Sequence, residues 1–326
     1  MTTKLLRFAP ALLALSLWGC SGGGSSSGSL TGTIIEYPTP TANSGPSDIV
    51  TGPDGKLWFL EGNTNTNKIG KSTTTGIITE YQLPTTNAFP TSIVSGPDGN
   101  LWYVDEDNNL GRVTTTGTIQ LFSAPNAGEL TVGPDNNLWV AEFNGGHIDV
   151  YSTAGTSLHS FASDTNPSNL QVEAITSGPG SDLWYDTFSG DNLIKMTTAG
   201  VATQITLSPQ IQGTMRDLVE GPDGNIWLCA TDENDIVRIT PTGAVTLYPV
   251  PTAGAQPDAI CVGPDNNLWF TEQLGDKIGR VITTTGAVSE YQIPTPASQP
   301  IAITAGPDGW LWFVENVSNK IGKIHP

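Results

Sequence analysis

The chain has 326 residues, of which only 13% are charged, and 37 Gly and 24 Pro interrupt it throughout. That load of helix breakers excludes helical bundles and coiled coils, while nine Trp set in regular apolar runs exclude a disordered chain. A net charge of -18 repels phosphate backbones and anionic headgroups, so neither nucleic acid nor a bare lipid surface is an expected partner.

The first predicted element is an export signal over residues 1–19. Lys4 and Arg7 form a basic start, and Phe8 to Trp18 is an apolar run too short to span a bilayer. The run ends in Leu17-Trp18-Gly19-Cys20, which resembles a bacterial lipobox with Cys20 as the lipidated residue. An ordinary signal peptide cleaved between Gly19 and Gly22 is the alternative. Ser21 to Ser29 reads SGGGSSSGS, a flexible tether with no side chains for a core. The expected organisation is therefore a signal peptide (1–19), a lipidated Cys20 with its tether (20–29) and a folded domain (30–326). It implies an exported protein of the cell envelope that meets the membrane only through its lipid.

From residue 30 onward the chain repeats. A GPDG-like turn followed by an apolar residue and Trp recurs at Gly52, Gly96, Gly133, Gly178, Gly221, Gly263 and Gly306. The spacings are 44, 37, 45, 43, 42 and 43 residues. A period near 42 with short alternating strands predicts an all-β, seven-bladed β-propeller, one four-stranded sheet per repeat. In the first repeat an innermost strand, Ser47–Val50, runs into the tight turn Gly52-Pro53-Asp54-Gly55. Leu57–Glu61 is the second strand, Lys68–Lys71 the third and Ile77–Tyr81 the fourth. Trp58, Trp102, Trp139, Trp184, Trp227, Trp269 and Trp312 mark the second strands and are expected to fill the wedges between blades. The last repeat stops after its third strand, Lys320–Ile324. Its missing fourth strand sits at Thr31–Tyr37, so the N-terminal strand should complete the last blade and close the ring.

The units GPDNNLWFTEQLGDKIGRVITTTGAVSEYQIPTP and GPDGWLWFVENVSNKIGKI, and the repeats across residues 30–326, resemble the streptogramin B lyase family. The resemblance implies a seven-bladed propeller whose relatives open a cyclic depsipeptide by elimination, without water, on the top face. It also implies magnesium, a Glu at the end of a second strand, and two His at the starts of innermost strands as proton handlers. The His position lies five residues before the turn glycine. Here it holds Ser47, Thr91, Gly128, Glu173, Arg216, Asp258 and Ile301, and His147, His159 and His325 fall elsewhere. The Glu position, three residues after the blade Trp, holds Glu61, Glu142, Glu272 and Glu315, with Asp105 as a variant and Thr187 and Ala230 in blades four and five. The resemblance makes Glu272 and Glu315 the metal candidates and Asp258, fourteen residues before Glu272, the candidate base. Beside Arg216, Asp258 is expected to be pushed down in pKa, which disfavours it in that role.

An acid repeated in five blades is more simply a structural device, and Lys68, Lys277 and Lys320 are expected to pair with Glu61, Glu272 and Glu315. The strand-start position instead breaks the symmetry. Glu173, Arg216 and Asp258 fall on consecutive blades and line one arc of the mouth, either as an ion-pair network or as a polar binding site. Cys229 and Cys261 have no nearby His and read as free core thiols. The leading expectation is a monomeric binding propeller for a small polar molecule, peptide or cell-wall glycan. A lyase acting on a cyclic peptide ester is the alternative, and a surface scaffold the third reading.

Overall fold

The computed structural model describes residues 31–326 except 64–65, 87, 164–170, 188–191 and 208. The expected signal peptide, Cys20 and its tether lie outside the described residues. The strands, numbered β1 to β28 in chain order, form seven antiparallel four-stranded sheets. In the first blade β2 (Pro46–Thr51) is innermost, followed by β3 (Leu57–Glu61), β4 (Lys68–Ser72) and β5 (Ile78–Gln82). The last blade has the order β26 (Pro300–Ala305), β27 (Leu311–Glu315), β28 (Lys320–Ile324) and β1 (Ile34–Pro38). The ring is therefore closed by the N-terminal strand, with Ile34 opposite Ile324 and Pro38 opposite Lys320.

The repeated motif has a local cause. In the first blade Gly55 donates its N–H to the Gly52 carbonyl at 3.0 Å and takes φ +65°, which a Gly accepts without strain. The Asp54 carboxylate then accepts the indole N–H of Trp58 at 3.0 Å. Gly52 must lack a side chain, because a Cβ there would lie 2.4 Å from the Trp58 ring. Turn and Trp are thus one unit, and the bond recurs with Asp98, Asp135, Asp223, Asp265 and Asp308. Blade four reads Gly178-Pro179-Gly180-Ser181, lacks the Asp, and leaves the Trp184 indole nitrogen buried without a partner.

All seven blade Trp are fully buried. Trp58 packs with Ile93, Leu101 and Tyr103 of the next blade, which is the wedge-filling role expected. An outer-strand aromatic covers most of them: Tyr81 stacks on Trp58 and Tyr37 on Trp312, both with centroids 5.7 Å apart. The third-strand Gly of the KIG sequences is a packing requirement as well. Phe59 lies over Gly70, where a Cβ would meet the ring at 2.1 Å, and Phe270 lies over Gly279 in the same way.

Candidate functional site

Six of the seven innermost strands begin with a bulge, blade four being the exception. In β2 the register shifts between Pro46 and Ile49, and in β22 (Pro257–Val262) between Pro257 and Ile260. The residues released from the ladder face the central channel. There they line a cavity of about 1090 Å3, together with loops that follow second strands. Ser47, Thr91, Gly128, Glu173, Arg216, Asp258 and Ile301, the strand-start residues of all seven blades, contribute to it.

Glu173, Arg216 and Asp258 come together on one arc of this cavity. Arg216 Nε lies 3.9 Å from Asp258 Oδ1, with side chains 54% and 16% exposed respectively. That pair is long and largely open to solvent on the Arg side, so it contributes little. Burial consequently decides the charge state of Asp258. Its carboxyl is pushed up to about 6, with Arg216 opposing and Glu173 assisting the rise. This corrects the expectation that Arg216 would depress it: desolvation outweighs a guanidinium at such a distance. Glu173 is also raised, first by burial, with Arg216 lowering and Asp232 raising it. Its Oε2 is enclosed without a hydrogen-bond partner.

Deeper in the channel are acids that the strand-start column did not reveal. Asp48, Glu129 and Asp217 occupy the next position along blades one, three and five. Asp48 accepts the N–H of Ile49 at 2.7 Å and that of Ile93, in the next blade, at 2.8 Å. Asp217 repeats this with Leu218 and Ile260, both at 2.8 Å. Each thus joins its bulge to the neighbouring blade. Burial pushes both carboxyls up to about 7 despite these bonds, and Glu129 is raised well above its usual range by burial and by Asp48 and Asp217. The signal was present one column further on, where the other blades carry Ser92, Ala174, Ala259 and Ala302. In blade four Asp186 was also missed. It accepts the N–H groups of Glu173 and Ala174 at 3.1 and 2.8 Å and so fixes the strand start that carries Glu173.

Glu272 and Glu315 do not line this cavity; with Glu61 they are fully buried. The expected lysine pairing is corrected by the structure. Lys68 and Lys277 meet Glu80 and Glu290 of the fourth strands, both at 2.7 Å, and Lys320 meets Glu36 at 3.5 Å. Thr41, Thr252 and Thr295, from the preceding blades' loops, complete each cluster. The lysines lie opposite Glu61, Glu272 and Glu315 in the ladder, but the longer fourth-strand pairing draws their ammonium groups outward. Both oxygens of Glu61 and Glu272 are left without a hydrogen bond, although Ser44 stands beside Glu61. Ser318 donates to Glu315 Oε2 at 2.6 Å, and its Oε1 has no partner. Burial raises Glu61 and Glu315 to about 7 and Glu272 to about 8. Magnesium needs several oxygen donors, and among the described residues no three His, Cys, Asp or Glu side chains are grouped to hold a metal ion. Glu272, with Lys277 and Glu290 already paired to each other beside it, does not fit such an ion.

The other acids of that column have partners: Asp105 accepts from Asn109 at 3.0 Å, and Glu142 lies 3.5 Å from His147. No His lines the cavity; His159 stacks on Phe161 and His325 meets Trp310 edge-on. Cys229 is buried, Cys261 half-buried, and both are free, with burial raising each thiol.

Comparison with known proteins agrees with this architecture. A streptogramin B lyase structure superposes with a TM-score of 0.82 at 29% identity, covering 90% of this chain and 97% of that one. A virginiamycin B lyase from Staphylococcus aureus gives 0.82 and 29% over 90% and 99% of the two chains. A catalytically inactive histidine-to-alanine variant of that lyase, solved with quinupristin, gives 0.82 and 28% over the same shares. The virginiamycin B lyase of Nocardia farcinica is 34% identical over 71 residues, which span 22% of this chain and only 25% of that relative. The virginiamycin B lyase family model matches residues 17–133 and 127–326, from before the first blade to the last residue of the seventh. Repeat, closure and fold thus converge with that match: the chain belongs to the virginiamycin B lyase family.

Proposed function

We propose that this streptogramin-lyase-like propeller is an exported, lipid-anchored protein that binds a small polar molecule, peptide or glycan in the cavity at its channel mouth. The observation that carries the reading is the convergence of Glu173, Arg216 and Asp258, the positions where the repeat breaks its symmetry, on one wall of a cavity of about 1090 Å3. A structural ion-pair network would bury and pair all three, whereas Arg216 is 54% exposed and 3.9 Å from its partner. The test is a thermal-shift screen of the purified protein against cyclic depsipeptides, cell-wall fragments and divalent ions. A compound that raises the melting temperature of wild type, but not of the Glu173→Gln/Asp258→Asn double variant, supports the reading. A panel in which no stabilising compound responds to these substitutions contradicts it.

A second reading, a lyase on a cyclic depsipeptide, is favoured by one observation. Burial pushes the Asp258 carboxyl up to about 6, so near neutral pH it is mostly an ionised carboxylate of raised basicity, as a general base for elimination requires. Incubation with a streptogramin B, followed by chromatography and fragmentation of the isobaric product, tests it. Opening that is lost in Asp258→Asn would place the enzyme reading first.

A further inference from the structure

The cavity walls carry more acids than bases, although burial keeps Glu129 protonated and leaves Asp48 and Asp217 only partly ionised near neutral pH. Among the described residues Asp48, Glu106, Glu129, Glu173, Asp217 and Asp258 line it, against the guanidinium of Arg216 alone, with no Lys or His in the lining. Arg216 stands 3.9 Å from one of these carboxylates and is mostly in solvent, so it offsets little of the charge. Asp48 and Asp217 have their oxygens committed to backbone N–H groups. Glu173 is different: the residue lines the cavity, and its enclosed Oε2 has no partner. An enclosed carboxylate oxygen without a donor is costly until a donor arrives. The rim also carries Phe143, an aromatic left 44% exposed on the same cavity.

We propose that the cavity selects an organic cation, a ligand with a protonated amine next to an apolar group, whose ammonium is taken up between Glu173 and Asp258 while its apolar part meets Phe143. The proposal rests on the reading of this cavity as the ligand site and names the ligand's chemistry. An ammonium brings three N–H donors and no acceptor, which matches a wall of acceptors, and the ring face of Phe143 attracts cations as well. Acids from the first six blades line the recess and favour cations from solution, whereas an anion meets only one guanidinium, that of Arg216 on the fifth blade, among the described lining residues. A divalent metal ion answers the charge but not the geometry, since the described acids form no group of three suited to one.

Three probes share one ring and differ in charge: phenethylamine, 2-phenylethanol and phenylacetate. Their binding to the purified full chain is measured by ligand-observed NMR at low ionic strength, with magnesium chloride alone as a fourth arm. The amine is expected to bind about tenfold more tightly than the alcohol, and the acid more weakly than either. Glu173→Gln and Asp258→Asn should each weaken the amine about tenfold while leaving the alcohol unchanged. Glu220→Gln, which removes an exposed acid outside the cavity, should change nothing and so controls for the overall charge of -18. Equal binding of amine and alcohol, preference for the acid, magnesium binding with none by the amine, or an equal loss in Glu220→Gln would each overturn the proposal. If the alcohol or acid binds and responds to cavity substitutions, the ligand site stands and only its cation preference fails. If no probe responds to them, both fail.

Discussion

Closure by the N-terminal strand can be tested without removing the strand, because the ring contains an internal control. Tyr37 on β1 and Tyr81 on β5 occupy equivalent places in blades seven and one. Each stacks on its blade Trp with centroids 5.7 Å apart and an interplanar angle of 15°. Each is half-buried, and each lies against the turn glycine of the next blade, where a Cβ would come within 2.0 Å of Tyr37 at Gly76 and 2.1 Å of Tyr81 at Gly117. Truncating a fully buried aromatic to Ala costs about 3–5 kcal/mol. With half of that area buried, either Tyr→Ala variant should lose about 2 kcal/mol. By the usual size scaling this lowers the melting temperature by roughly 4–8 °C, towards the lower end for a chain this long. Circular dichroism melts of wild type, Tyr37→Ala and Tyr81→Ala on the same day give the comparison. If β1 is an integral strand, the two losses agree. A Tyr37→Ala variant that melts like wild type while Tyr81→Ala falls would mean that β1 frays in solution and that the ring is held by other contacts.

Deleting residues 31–38 should lower the melting temperature further than either point variant, since β28 then becomes an open edge; an unchanged melt would refute closure. Gly279→Ala should destabilise strongly, because the new methyl meets the Phe270 ring at 2.0 Å, and chemical denaturation would report a lower midpoint. Glu61, Glu272 and Glu315 hold their protons more tightly folded than unfolded, so the stability they contribute is full below about 4.5 and is lost as pH rises through about 7 to 8. Melting temperature should therefore fall between about pH 5 and pH 8, and Glu272→Gln should flatten that slope; a melt insensitive to pH over this window would contradict their burial as neutral acids. Cys20→Ala should move the protein from the membrane fraction to the soluble exported fraction, and intact mass should reveal acyl chains on wild type; a mature protein without them refutes the anchor.

The fold was legible because its information is local and repeated. In six of the seven turns an Asp bonds the Trp four residues later, so a motif of a few residues reports a blade, and the turn-and-Trp spacing, kept in blade four as well, counts seven. The strand-start residues were legible for the same reason: with the period known, Glu173, Arg216 and Asp258 stand out as departures. What lay beyond the sequence was burial and reach. Asp258 beside a guanidinium looks like a depressed acid until its enclosure and the 3.9 Å gap are known. Lys68 lies opposite Glu61 in the ladder, yet its side chain extends to Glu80 and Thr41 because Glu61 is turned into the interior. Asp48, Glu129 and Asp217 were overlooked because the bulges place a second column of residues in the channel, and no periodicity reports where a bulge falls.

The central claim is that the channel-mouth cavity, and not the buried second-strand acids, holds the ligand. Titration calorimetry tests it with whichever compound most stabilises wild type, comparing wild type, Asp258→Asn and Glu272→Gln under one buffer. The account predicts that Asp258→Asn weakens binding about tenfold while Glu272→Gln, enclosed away from the cavity, leaves it unchanged. Full affinity in Asp258→Asn, with binding lost in Glu272→Gln, would contradict it and move the site to the buried carboxylate at the end of the sixth blade's second strand.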